Sequence, residues 1–135
     1  MANSLYDPAR QKYLTGEFNW LTDDIRVALV STDAGDNPYT FDATHEYLDS
    51  VHTNAIRSQS GALENKAVDD GKAQADNITF TAVEGAEAGA LVIYVHNSDP
   101  AAAALIAYLD TGVGLPVLPN GGDIYITWGD YIFQI

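Results

Sequence analysis

The sequence has no cysteine, few basic residues and no long apolar run, and each shortage excludes something. Without cysteine there are no disulfides, no thiol catalysis and no thiolate metal site, and the chain tolerates either redox compartment. Lys and Arg number 6 against 19 Asp and Glu, a formal net charge of −13. A surface this acidic repels phosphate backbones and anionic membranes, so neither nucleic acid nor membrane is an expected partner. It favours solubility and leaves partner contacts to apolar or locally complementary patches. The longest apolar runs, such as ALVIYV at 90–95, fall far short of a membrane span. The opening MANSLYDPARQKYL lacks the cationic start and apolar stretch of a signal peptide, which predicts a soluble protein made in the cytoplasm.

What is present suits one domain over 1–135, since 135 residues leave no room for two of ordinary size. A chain near this length buries roughly two-thirds of the surface it exposes when unfolded, enough for a core without staples. The first segment, 1–21, reads as a helix and its docking residues, with a β domain over 22–135. In the helix, expected over 4–15, Ser4 serves as cap, Pro8 falls early, and Leu5, Ala9, Lys12 and Tyr13 recur at helical spacing. Thr15-Gly16 ends it, and the bulky Phe18, Trp20 and Leu21 dock it.

Strand signals follow. IRVALV (25–30) is the first, ITFTAV (78–83) alternates, and ALVIYVH (90–96) is continuously apolar, as a central strand covered on both faces should be. LIAYLDT (105–111), DIYITW (123–128) and YIFQI (131–135) complete the set, with Trp128-Gly129-Asp130-Tyr131 predicting a tight hairpin between the last two. Turns are expected at Ser60-Gly61, Asp69-Asp70-Gly71, Asn97-Ser98-Asp99-Pro100, Leu115-Pro116 and Pro119-Asn120-Gly121-Gly122. Between 53 and 77 large apolar side chains are few, which suggests polar edge strands. The expected fold is mainly β: an antiparallel β sandwich or barrel, jelly-roll-like, with one or two short N-terminal helices.

The stretch ATHEYLDSVHTN (43–54) is the richest in reactive side chains. On a helix over 43–52, His45, Asp49 and His52 share one face at i, i+4 and i+7, a plausible ligand set for zinc or a similar ion. The zinc-protease pattern, however, demands a second His where Asp49 stands. The plainer account packs Tyr47, Leu48 and Val51 inward and leaves His45, Glu46 and Asp49 in water. Asp33, Asp36 and Asn37 lack the spacing of a calcium loop. Ser31, Ser50, Ser58, Ser60 and Ser98 have no nucleophile-elbow setting, and His96 reads as a rim residue of the central strand. No catalytic, cofactor-binding or metal residue is assigned, and a non-enzymatic role is expected. On the 123–128 strand Tyr125 and Thr127 alternate with Ile124, Ile126 and Trp128, so one face could serve assembly.

MANSLYDPARQKYLTGEFNWLTDDIRVALV, ATHEYLDSV, ALVIY, LIAYLDTGVGLPVLPNGGDIYITW and the terminal IFQI together resemble a family of small tailed-bacteriophage proteins. The resemblance covers most of the chain but not 53–77, and its motifs belong to a scaffold. It implies a virion structural protein without enzymatic activity or cofactor, made in the host cytoplasm and located in the virion. A capsid decoration (cement) protein is expected, one that binds the major capsid protein and copies of itself as a homotrimer. A tail, baseplate or fibre-associated component is the alternative. The expected contact residues are Phe18 and Trp20 near the N-terminus, Tyr39 in the 31–42 loop, and Asp99 and Pro100 in the 97–104 loop.

Overall fold

The computed structural model describes residues 4–32, 38–84, 88–110, 120–128 and 131–134. Among these residues the order is β1 (Ser4–Leu5), α1 (Asp7–Leu14), β2 (Ile25–Val30), β3 (Ile56–Gln59), β4 (Ala67–Asp69), β5 (Lys72–Gln74), β6 (Ile78–Phe80), β7 (Ala90–Val95), β8 (Leu105–Leu109), β9 (Ile124–Ile126) and β10 (Phe133–Gln134). The strands make a five-stranded sheet in the order β1-β8-β7-β2-β3, a three-stranded sheet β10-β5-β4, and the pair β6-β9. All strand pairings are antiparallel. The fold is mainly β and sandwich-like, and no barrel closes among the described residues.

The three most apolar strands lie side by side because each has both faces to bury. β7 is the central one, with Ala90 to Tyr94 all buried, and β2 and β8 flank it. Val27 stands opposite Ile93 and Leu29 opposite Leu91, while Leu91 also faces Leu109 across the other edge. Each such side chain contributes about 1.5–3 kcal/mol by leaving water. Arg26 is the exception on β2: half-buried, it escapes to the surface and pairs with Asp24 at 3.1 Å.

The N-terminal segment is no separate attachment, because its first strand completes the large sheet. Ser4, expected as the helix cap, instead lies opposite Tyr108 in β1, and the chain passes into α1 through an extended Tyr6 without a side-chain cap. The Tyr6 N–H donates to the Ile106 carbonyl at 3.1 Å. The end of α1 is the one the sequence announces. Gly16 takes φ +77° and donates to the Tyr13 carbonyl, while the Glu17 N–H reaches back to the Lys12 carbonyl at 2.9 Å. This Schellman arrangement needs a residue free of a Cβ penalty, hence glycine. It turns the chain so that Phe18 and Trp20 fold under the helix.

The helix expected over 43–52 does not form. Only 3₁₀ turns at Leu48–Ser50 and Thr53–Ala55 are present, and Tyr47 between them and the sheet is extended. The cause is competition from the segment that leads into β8. Tyr47 bridges Ala104, the Leu48 N–H donates to the Ala103 carbonyl, and the Leu105 N–H donates to the Glu46 carbonyl at 2.8 Å.

The polar strands expected within 53–77 are present as β3, β4 and β5. β4 and β5 form a hairpin over Asp70 (φ 54°) and Gly71 (φ 80°), the left-handed pair of a type I′ turn. The expected turn at Ser60-Gly61 is absent. Ser60 is buried, and its Oγ accepts the Val27 N–H at 2.9 Å, so the chain continues beside β2. The hairpin expected between the last two strands is also not the pairing observed. β9 pairs with β6, and β10 pairs with β5, where Phe133 lies opposite Ala73. No described helix is long and apolar enough to cross a membrane.

Candidate interaction surface

The Schellman turn and the three-stranded sheet together build an aromatic cluster. The Trp20 ring meets Phe133 edge-on at 5.3 Å, and Tyr13 meets Phe18 edge-on at 5.2 Å. The Trp20 indole N–H donates to the Gln74 carbonyl at 3.1 Å, which fixes its rim to β5. The strand register places Val68, Ala73 and Phe133 in one row on the same sheet face. Phe18 and Trp20 were expected to offer their rings to a partner, yet they are 9% and 5% exposed and act mainly inside the fold. Their outer edges nevertheless line an apolar groove of about 440 Å³, together with Tyr13, Ala73 and Phe133. Leu21 and Val68 flank it, 50% and 56% exposed. The Tyr13 hydroxyl is buried beside the groove and has no hydrogen-bond partner among the described residues.

Val68 is the groove residue that sequence reasoning did not single out, and Leu21, expected to dock the helix, is instead half exposed at the groove. The available signal is a lone valine in a strand of otherwise small and charged residues, Lys66-Ala67-Val68-Asp69, next to a turn that makes it an edge.

Tyr39, the third expected contact residue, is corrected in the same direction: at 5% exposure it belongs to the core. Its hydroxyl sits 2.6 Å from the Tyr6 hydroxyl and 2.9 Å from His45 Nδ1. Its ring packs near Tyr108, which also touches Phe41. Burial pushes the Tyr39 and Tyr108 hydroxyls up to about 12, and burial with the Tyr39 neighbour raises Tyr6 further. Asp99 and Pro100 remain exposed. Asp99 Oδ1 accepts the Ala101 N–H at 3.0 Å and the Pro100 carbonyl accepts the Asp49 N–H, so the loop is pinned rather than loose.

The reactive residues of 43–54 do not converge. His45 is held by Tyr39, and His52 Nδ1 accepts the Asn54 N–H to cap a 3₁₀ turn. Asp49 faces solvent, and Glu46 binds Lys12 at 2.9 Å, whose hydrogen bond lowers the Glu46 carboxyl below its usual range. The same ammonium lies 4.7 Å from the centre of the Tyr47 ring. No group of three metal-ligating side chains is found among the described residues. Asp33, Asp36 and Asn37 lie outside the described residues, as does the Leu115-Pro116 turn. His96 is an exposed residue just beyond β7, and Tyr125 is 72% exposed, so β9 buries only its Ile124 and Ile126 face.

No protein-family model matches the chain, and no curated protein sequence matches it.

Proposed function

We propose that this protein is a structural component of a tailed-bacteriophage virion, a decoration (cement) subunit that binds the major capsid lattice and stabilises the head. The observation that carries this reading is the resemblance of its terminal and interior segments to small tailed-phage proteins. Those segments include the stretches that become β2, β7 and β8, the middle of the large sheet. What is shared is therefore a scaffold, and no enzymatic step or cofactor belongs to this reading. An apolar groove flanked by exposed Leu21 and Val68 gives the scaffold a surface on which apolar contact can hold a neighbour. The partners in this reading are the major capsid protein and copies of the chain itself, arranged as a homotrimer.

Quantitative mass spectrometry and cryo-electron microscopy of particles test it. The expected result is a high copy number on heads, with heat and low-salt tolerance lost when the protein is removed. Recovery in isolated tails alone overturns it in favour of a tail, baseplate or fibre component. In the expected contact loop from Asp99 to Ala104, substitutions at the exposed residues Asp99 to Ala102 that keep the fold should reduce particle binding if that loop makes the contact.

A further inference from the structure

Among the described residues the three-stranded sheet has an open edge. There β4 pairs with β5 alone, and all three of its residues are exposed. The two-residue turn at Asp70-Gly71 makes Asp69–Lys72 and Ala67–Gln74 the pairs that exchange hydrogen bonds. Alternation then points the main-chain N–H and C=O of Val68 away from β5, toward solvent. Natural edges are blunted by bulges, charges or a covering element. Here the middle residue is an exposed valine whose side chain lines the groove. Asp69 projects to the opposite face, and Asp70 follows it in the turn. Among the described residues no cation pairs with either carboxylate: Lys72 lies over the Tyr131 ring and Lys66 donates to the Asp23 carbonyl.

We propose that the β4 edge takes up an extended segment of another protein, one alternating apolar and basic residues, which adds to the sheet as a further strand. The residue opposite Val68 exchanges main-chain hydrogen bonds with it and places its apolar side chain in the groove beside Leu21 and Trp20. Its neighbours fall on the other face, where Asp69 and Asp70 meet their positive charges. Charge selects this occupant over a second copy, which brings its own −13 and the same Asp69-Asp70 edge. The inference concerns a protein segment of this chemistry whatever its source and does not rest on the capsid reading.

The test uses purified protein and a short synthetic peptide alternating lysine with valine, followed by backbone amide spectra, hydrogen exchange and the Trp20 indole N–H signal. Saturable binding is expected, with the Val68 amide shifted and newly protected from exchange. The same peptide N-methylated on its valines should bind about tenfold more weakly or not at all, the loss of a main-chain hydrogen bond. A peptide with glutamate in place of lysine should also lose about tenfold or more. Val68→Pro removes the outward N–H, which bonds nothing in β5, together with the valine side chain in the groove, and should abolish binding, whereas Val68→Ala keeps the N–H and should weaken binding less, the remaining amide spectrum being kept in both. No saturable binding of the lysine–valine peptide overturns the proposal, and so does equal binding of either altered peptide. Protection of the Val68 amide in the free protein, with concentration-dependent sedimentation, overturns it in favour of self-pairing.

Discussion

The hydroxyls of Tyr6 and Tyr39 lie 2.6 Å apart, inside a core that seals Tyr6 completely from solvent. Tyr39 has a second partner in His45 Nδ1, whereas among the described residues Tyr6 has only Tyr39. The two rings should therefore respond unequally to loss of the oxygen. Tyr39→Phe strands the Tyr6 hydroxyl without a partner and should cost about 1–3 kcal/mol, while Tyr6→Phe leaves Tyr39 bonded to His45 and should cost about 1 kcal/mol or less. Urea unfolding of both variants and of the double variant measures this. Equal single costs would show that the chain of hydroxyls is not what holds the site.

The same burial sets a limit at alkaline pH. Tyr39 and Tyr108 are raised to about 12 in the folded protein, against an ordinary value of about 10 in the unfolded chain. The folded state thus keeps protons that the unfolded state releases, so the contribution is complete below about pH 10 and falls as the pH climbs toward about 12. Phenolate absorbance should lag behind that of unfolded protein over this window, and unfolding midpoints should drop within it. A stability unchanged across that window would count against the buried cluster.

Gly89 gives a steric test. A Cβ there would overlap Thr32 Oγ1 and lie 3.3 Å from Thr32 Cβ. Gly89→Ala should therefore destabilise by about 1–3 kcal/mol, and adding Thr32→Ala should recover most of the loss. A double-mutant cycle by chemical denaturation reads the coupling. Additive effects would place the cost in the backbone at position 89 instead.

Tyr13 offers the opposite sign. Its buried hydroxyl lacks a partner among the described residues, while its ring packs on Phe18. Tyr13→Phe keeps the ring and removes the desolvated oxygen, so it should be neutral or stabilise by up to about 1 kcal/mol. Thermal melting checks this, and a clear drop in Tm would mean that the hydroxyl has a bonding role.

Local signals foretold much of this fold. The apolar runs at 25–30, 90–95 and 105–109 became adjacent strands because an uninterrupted run needs cover on both faces. Asp70-Gly71 and Gly16 acted where left-handed backbone was required. The failures involved distant partners. Helical spacing at 43–52 was real, yet backbone bonds to Ala103 and Leu105 prevailed over a short helix. The last strand passed over its sequence neighbour for β5, where Phe133 completes the cluster around Trp20. Likewise Phe18, Trp20 and Tyr39 read as contact residues because bulk near a loop looks the same whether it faces inward or outward. Only the folded arrangement shows that Phe18 and Trp20 line a groove flanked by Leu21 and Val68, while Tyr39 lies elsewhere in the core.

The strand order β1-β8-β7-β2-β3 also dictates a timetable. Leu5 is synthesised about a hundred residues before its sheet partner Ala107, and β2 waits for β7 in the same way. During synthesis the growing chain holds β2 and β3 with most of their apolar surface uncovered until β7 arrives, and the sheet is completed only after β8. Such long-range pairing makes for slow folding and leaves the unfinished chain open to aggregation. The high negative charge, which does nothing to specify the fold, keeps those unfinished chains apart while they wait.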